Sequence, residues 1–220
     1  MTMNDAKPLS ISRQSLQRMP IYLENLKKLR AAGKSHVSAA FLAGELRLHP
    51  VQVRKDLAAV SSVDGNPRIG FALAGLIEDM EDFLGCNNAN EAVVVGVGNL
   101  GRALLSYKNF AGYGLSIIAG FDSDPAVAGT TVHGKEIFSA SRITELCGRF
   151  GVHIGIITTP ASSAQEVCDA MLLGGIKAIW NFAPLHLNIP DDIIITNENL
   201  AASFAALSGR LRQQRDAPKL

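Results

Sequence analysis

The spacing of apolar positions changes character twice along this chain. Leu16, Met19, Leu23, Leu26 and Leu29 recur at intervals of 3 and 4, the period of a helix with one buried face, and Gly33 stops it. Ser38 can cap a second short helix, Ala39 to Leu46, with Leu42 and Leu46 turned inward. His49-Pro50 opens a third helix with proline in the first turn, where a missing N–H costs nothing, and Val51 to Val60 continue it with Val53 and Leu57 inside. Asp64-Gly65-Asn66-Pro67 then predicts a turn between Val60–Val63 and Arg68–Phe71, a small hairpin. Leu76 to Leu84 is amphipathic and helical, and the polar run Asn87 to Glu91 reads as a linker.

Beyond the linker the pattern becomes strand and helix in alternation. Ala92–Val97, Leu115–Phe121, His153–Thr158, Lys177–Phe182 and Ile193–Thr196 read as strands, with helices over Asn99–Lys108, Ser141–Phe150 and Ser162–Leu173. Apolar strands alternating with helices predict a parallel sheet covered on both faces, whose ligands sit at the carboxyl ends of the strands. The last pattern is helical again: Leu200, Phe204, Leu207 and Leu211 form a stripe, interrupted by Gly209, that needs a partner surface for its order. The tail from Gln213 is expected to be mobile. The resulting fold class is α/β, a three-helix unit with a two-stranded wing joined to a Rossmann-like parallel sheet. The division drawn is 1–85, 86–198 and 199–220.

The chemistry is concentrated where the first of those strands ends. Val93 to Gly101 reads Val-Val-Val-Gly-Val-Gly-Asn-Leu-Gly, a G-x-G-x-x-G passage between a strand and a helix. Gly96 permits the tight turn, Gly98 lets backbone approach a pyrophosphate, and Gly101 lets the helix lie close to the sheet. Val97, Asn99 and Leu100 complete the loop and the first helical turn, whose N–H groups face an anion. Asp122 lies about 20 residues on, where a ribose 2′-OH is held. Ser123 follows it with no arginine alongside, so NAD(H) is favoured over NADP(H). Thr158-Thr159-Pro160 and Asn181-Phe182-Ala183-Pro184 follow two further strand ends and are expected to line the crevice beside a nicotinamide.

Net charge changes the picture only when split by position. Of the 220 residues, Met1–Gly75 hold 11 Lys/Arg against 5 Asp/Glu, whereas Leu76–Leu220 hold 10 against 15. A basic unit attached to an acidic one points to a polyanionic partner for the first. Three helices and a wing with charge on the third helix outline a winged helix-turn-helix, reading double-stranded DNA in the major groove through Pro50, Gln52, Arg54 and Lys55, with Arg68 on the wing. A helical dimerisation module with exposed basic residues shares the same outline.

Composition excludes several classes. With 47% apolar and 19% charged residues the chain can build a globular core. No apolar run reaches the roughly 18 to 20 residues of a membrane span, and the first residues lack a signal-peptide core, so a cytoplasmic location without membrane contact is expected. Cys86, Cys147 and Cys168 fit neither a disulfide framework nor a metal site, and no metal is expected. An NAD-dependent dehydrogenase needs a positioned acid or base, but His133, His153 and His186 stand in no such setting, so no catalytic residue is assigned. A CoA-binding relative of the sheet, or an interaction module stabilised by nucleotide, are the other readings.

Taken together, Gln52-Val53-Arg54-Lys55-Asp56-Leu57, Gly96 to Leu105 with Ser106-Tyr107, Phe121-Asp122-Ser123-Asp124-Pro125, Thr159-Pro160-Ala161, Ala164-Gln165, Asn181-Phe182-Ala183-Pro184 and Asn197 to Ala202 resemble the Rex family of redox-sensing transcriptional repressors, from about Ser12 to Leu211. The resemblance implies a homodimer that binds a palindromic operator when NADH is scarce and releases it when NADH is bound, NAD+ binding less well. It also implies a C-terminal helix exchanged between subunits. In that family an arginine, a tyrosine and an aspartate signal the state of the dimer. They match Arg18, Tyr107 and position 199, where this chain has Asn199, which cannot form the ion pair. Ala58 to Arg68 also departs from the aromatic, glycine-rich passage usual in the family.

Overall fold

A computed structural model describes residues 11–88 and 90–216. The expectations that concern the first ten residues, and those for the tail beyond residue 216, lie outside the described residues. The chain divides into two compact units, one ending at Asn88 and the other beginning at Ala89.

In the first unit, helix α1 (Arg13–Ala31) starts at Ser12, whose hydroxyl accepts from the Ser15 N–H. Its buried face is Met19, Tyr22, Leu23 and Leu26; Leu16, expected inside, is 46% exposed. Strand β1 (His36–Val37) leads into α2 (Ala39–Leu46), capped by Ser38 as its sequence predicts, with Leu42 buried and Leu46 only half-buried. Helix α3 (Pro50–Val60) begins behind His49, whose Nδ1 accepts from the Val51 N–H, and buries Val53 and Leu57. Helix α4 (Leu73–Leu84) closes the unit, starting three residues earlier than the amphipathic pattern.

The wing differs from the expected hairpin. Strand β2 (Phe71–Ala72) pairs antiparallel with β1, not with Val60–Val63. The cause is a competing partner: Asp79 on α4 accepts from both the Ser62 N–H (2.7 Å) and the Ser62 hydroxyl (2.9 Å), tying the segment after α3 to α4. What remains of the wing is a loop from Asn66 to Gly70, closed by reciprocal backbone bonds of 2.8 and 2.9 Å and by the Asn66 side chain accepting from the Arg68 N–H. Gly70 has φ +85°, and a Cβ there would strike the Val37 carbonyl.

The second unit is a seven-stranded sheet: β3 (Asn90–Val95), β4 (Leu115–Asp122), β5 (Thr131–Val132), β6 (Lys135–Ser139), β7 (Ile154–Ile157), β8 (Ala178–Asn181) and β9 (Ile194–Asn197). Their spatial order is β5-β6-β4-β3-β7-β8-β9, all parallel except β5. Removing the short antiparallel edge leaves the doubly wound dinucleotide-binding order, with the direction of winding reversing between β3 and β7. Val93 and Val95 face α6 (Ile143–Phe150) and α7 (Ala161–Leu173), while Ala92 and Val94 face the side of α5 (Asn99–Ser106). Burial on both faces is why β3 reads as an unbroken apolar run. Asn90 and Glu91, expected in the linker, already belong to β3.

The β5–β6 hairpin was not expected; its turn is His133-Gly134, both at positive φ (49° and 76°). Helix α8 (Leu200–Asp216) extends through Gln213, expected to be mobile, as far as Asp216. Its stripe is open: Leu200, Phe204, Leu207 and Leu211 are 56–71% exposed.

Candidate functional site

At the reversal point the chain leaves β3 through Gly96, whose φ of +94° is left-handed and whose missing Cβ would lie 2.9 Å from the Thr158 carbonyl. Thr158, at the end of β7, donates its hydroxyl to the Gly96 carbonyl at 2.6 Å and to that of Val95 at 3.0 Å, so the two strand ends are clasped together. Gly101 lies in the first turn of α5, and a Cβ there would overlap the Gly96 carbonyl oxygen. Gly98 is different: no protein atom comes within 4 Å of where its Cβ would be. Its φ of −73° suits any residue, so nothing in the chain itself demands glycine there. The space beside its backbone is open to a ligand.

Gly98 also leaves α5 without a side-chain cap, so the first amides of the helix, from Asn99, Leu100 and Gly101, keep their hydrogen-bonding capacity and the positive end of the helix dipole stays unopposed. Asp122 closes the loop from the β4 side. One carboxylate oxygen accepts from the Val97 N–H at 2.6 Å and the other from the Asp124 N–H at 2.9 Å. Each oxygen keeps a lone pair for a further donor such as a ribose hydroxyl. Arg102, not singled out from the sequence, braces the loop by donating Nε to the Val97 carbonyl at 3.0 Å.

These groups open onto a crevice of about 650 Å³ lined by Gly96, Gly98, Asp122, Thr158, Thr159 and Pro160, with Ser123, Ser141, Ser163 and Glu166 joining them. Thr159 Oγ1 is buried there with no hydrogen-bond partner in the chain. An open cradle at Gly98, an uncapped helix start and the Asp122 carboxylate beside them together fit a dinucleotide. Arg142 borders a neighbouring groove that includes Ser123, but both Nε and Nη2 bind Glu145 at 3.1 Å, so it is already neutralised.

Val97, Asn99, Leu100 and Gly101 belong to the loop and helix start at the crevice without lining it, and the four expected residues after β8 lie away from it. Asn181 is fully buried and spends its amide on the chain, donating to Ala183, Leu185 and Asn197 and accepting from the Ala183 N–H. Phe182 stacks on Trp180 (4.8 Å between centroids) in the cluster on the α5 face, Ala183 is buried, and Pro184 is exposed. Asn181 holds the loop after β8 in shape; it lines nothing.

In the first unit, Pro50, Arg54, Lys55 and Arg68 are exposed, and Gln52 is half-buried. Arg18 of α1 lies beneath α3: its Nη2 pairs with Asp56 at 2.7 Å, its Nε reaches Asp56 at 2.8 Å, and Asp56 is only 5% exposed. Tyr22 donates its hydroxyl to Asp56 at 2.8 Å, and burial with that bond pushes its pKa up to about 12. The residues expected to form a switch have partners within the chain. Arg18 binds within its own unit, the Tyr107 hydroxyl accepts from Asn109 at 3.4 Å, and Asn199 caps α8 by accepting from the Ala202 N–H at 2.9 Å. Among the described residues no cluster of His, Cys, Asp and Glu could hold a metal ion, and no helix is long and apolar enough to cross a membrane.

A basic helical unit followed by a doubly wound sheet with a glycine loop at its reversal point is the outline of a DNA-binding module joined to a nucleotide-binding one. Comparison with known proteins places it more narrowly. Residues 10–58 match the family described as "Putative DNA-binding protein N-terminus", and residues 87–185 match the "CoA binding domain" family. The redox-sensing transcriptional repressor Rex of Bacteroides fragilis is 39% identical over 96% of this chain and 97% of its own. That of Treponema denticola is 38% identical over 88% and 91%. Among solved structures, RSP, a Rex-family repressor, in complex with β-NAD+ and operator DNA superposes with a TM-score of 0.88 at 29% identity, covering 93% of this chain and 94% of that one. RSP in complex with β-NADH gives 0.82 at 29%, covering 94% and 96%. The chain belongs to the Rex family of redox-sensing transcriptional repressors.

Proposed function

We infer that this protein represses transcription by holding operator DNA through its winged helix-turn-helix and lets go when NADH fills the crevice behind Gly96 to Gly101. The observation that carries the reading is the conjunction at the β3–β7 reversal point: a loop open at Gly98, a helix start without a side-chain cap, and the Asp122 carboxylate, all around one crevice. The functional division follows as 1–85 for DNA, 86–198 for coenzyme and 199–220 for dimerisation, in the cytoplasm.

The α5 amides and Gly98 receive the pyrophosphate, and Asp122 receives a ribose hydroxyl while still bracing Val97. Arg54 and Lys55 meet phosphates or base edges in the major groove, with Arg68 at a neighbouring phosphate. The reduced nicotinamide is neutral whereas the oxidised ring is cationic, so an apolar wall near the strand ends favours NADH. A homodimer matches a palindrome, its half-sites about 34 Å or a multiple apart, and the exposed stripe of α8 supplies an apolar face for the second copy. Rotation of the two reading heads away from that spacing loosens the grip without altering any contact residue.

The three cysteines are no alternative redox sensor. Burial pushes the thiols of Cys147 and Cys168 up to about 11 and raises that of half-buried Cys86 as well, which keeps all three protonated near neutral pH. The test is a mobility shift on an operator recovered by selection from random palindromic duplexes, titrated separately with NADH and NAD+. Release by NADH at concentrations where NAD+ leaves the complex intact is expected. Equal effects of the two coenzymes refute redox sensing, and release by CoA but neither dinucleotide transfers the crevice to a different ligand.

A further inference from the structure

The recognition helix carries a constraint on what it can say to DNA. Gln52 satisfies its surroundings with its side-chain oxygen towards Arg18, where that oxygen accepts from Nη1 at 2.9 Å and from Nη2 at 3.1 Å. The Nη1 bond, with a share of the Nη2 protons that Asp56 and Ser15 also draw on, holds that oxygen towards Arg18. Arg18 is not free to withdraw. Asp56, one turn along α3 from Gln52, holds it by the ion pair at 2.7 Å and the Nε bond at 2.8 Å, Ser15 accepts from its Nη2 at 3.1 Å, and the Tyr22 hydroxyl accepts from its Nε at 3.2 Å. Rotating the guanidinium towards DNA would leave Asp56, 5% exposed, a buried charge without its counter-ion and with the Tyr22 hydroxyl as its remaining donor.

The usual reading of glutamine in a major groove is a pair of bonds to adenine, its oxygen accepting from N6 and its nitrogen donating to N7. That reading needs the oxygen that Arg18 occupies. We propose that Arg18 makes Gln52 a donor-only reader, so that the amide NH2 of Gln52 selects guanine, whose N7 and O6 both accept, over adenine, whose N6 donor opposes it. Arg18 is thus a positioning residue for specificity: it touches no base and sets the polarity of one that does. The proposal rests on the DNA-binding reading above and deepens it.

The test is binding-site selection from a random duplex library with the full-length protein and three variants, read as base preference at each half-site position. The protein itself is expected to prefer guanine over adenine about tenfold at one position, and Gln52→Ala to flatten that position alone. Arg18→Met frees the oxygen, so the preference at the same position moves to adenine. Gln52→Glu does not depend on refilling the space beneath α3: one oxygen still faces Arg18 and the other can only accept, so the preference moves to cytosine through its N4 donor. A uniform loss of affinity in Gln52→Ala with no positional change, or an adenine preference in the unmodified protein that Gln52→Ala removes, overturns the proposal. An unmodified protein that enriches no sequence overturns the DNA-binding reading, and the proposal with it.

Discussion

The glycines of the coenzyme loop make opposite demands, and replacing two of them with alanine separates folding from binding. At Gly101 a Cβ would overlap the Gly96 carbonyl oxygen and lie 3.1 Å from Thr158 Oγ1. The carbonyl cannot retreat freely, because it accepts the Thr158 hydroxyl at 2.6 Å. Overpacking of about 1–3 kcal/mol and the loss of a hydrogen bond worth about 0.5–1.5 kcal/mol give a cost of roughly 2–4 kcal/mol for Gly101→Ala. For a unit of this size that is a fall in melting temperature of roughly 10 °C. At Gly98 the Cβ meets nothing within 4 Å and φ is −73°, so Gly98→Ala costs the fold little, at most about 1 kcal/mol because alanine is a poorer N-cap than glycine. Its methyl stands where the pyrophosphate must approach, so NADH binding weakens at least tenfold, about 1.4 kcal/mol. Differential scanning calorimetry without ligand, paired with titration of NADH fluorescence, measures both. Unaltered NADH affinity in Gly98→Ala refutes the assignment of the cradle, and an unaltered melting temperature in Gly101→Ala refutes the packing argument.

Three further outcomes follow from the geometry. Tyr22, with a pKa raised to about 12 against 10 in the unfolded chain, contributes stability that is intact below pH 10 and lost as pH climbs towards 12, on the order of 2 kcal/mol; the stability difference between the protein and Tyr22→Phe therefore narrows over that window in urea denaturation, and a constant difference refutes the buried-phenol account. Replacing Cys86, Cys147 and Cys168 by alanine leaves NADH-triggered release of operator unchanged in a mobility shift, whereas loss of the response returns redox sensing to thiols. Phe204→Asp with Leu207→Asp places charges on the open stripe of α8 and yields monomers in sedimentation equilibrium that bind NADH yet hold operator poorly; a dimer that survives both changes removes α8 from the interface.

What could be read from the sequence was whatever is decided locally. The Ser38 cap, Pro50 in the first turn of α3 and the glycine loop are each fixed by a few neighbouring residues, and the structure places them as expected. The wing was misread because its strand partner is chosen over a long range: Ser62 answers to Asp79, and Phe71 to Val37, pairings that no local alternation records. Asn181 was misread for a similar reason. A polar residue at a strand end suggests a ligand, but here four bonds to its own loop and to Asn197 claim it. Arg18 and Asp56 carried no signal as a pair, since they are 38 positions apart and each is ordinary on a helix face. The β5–β6 hairpin did carry one, His133-Gly134 between short apolar runs, which the strand-and-helix alternation around it obscured.

In the homodimer proposed above, two crevices would share an energetic demand larger than a single site typically meets. Moving an operator complex from about 99% held to about 99% released takes a differential binding of roughly 10⁴, about 5.5 kcal/mol. Allosteric coupling through a single site typically supplies about 1–3 kcal/mol. Two equivalent sites in a homodimer, each binding NADH about 100-fold better in the released form, multiply to the required factor while each stays within that range. The same arithmetic fixes the reverse effect, since operator must weaken NADH at each site by the factor with which NADH weakens operator. A crevice that binds without reacting suits this task. Its lining carboxylates are Asp122, already engaged with the Val97 and Asp124 amides, and Glu166.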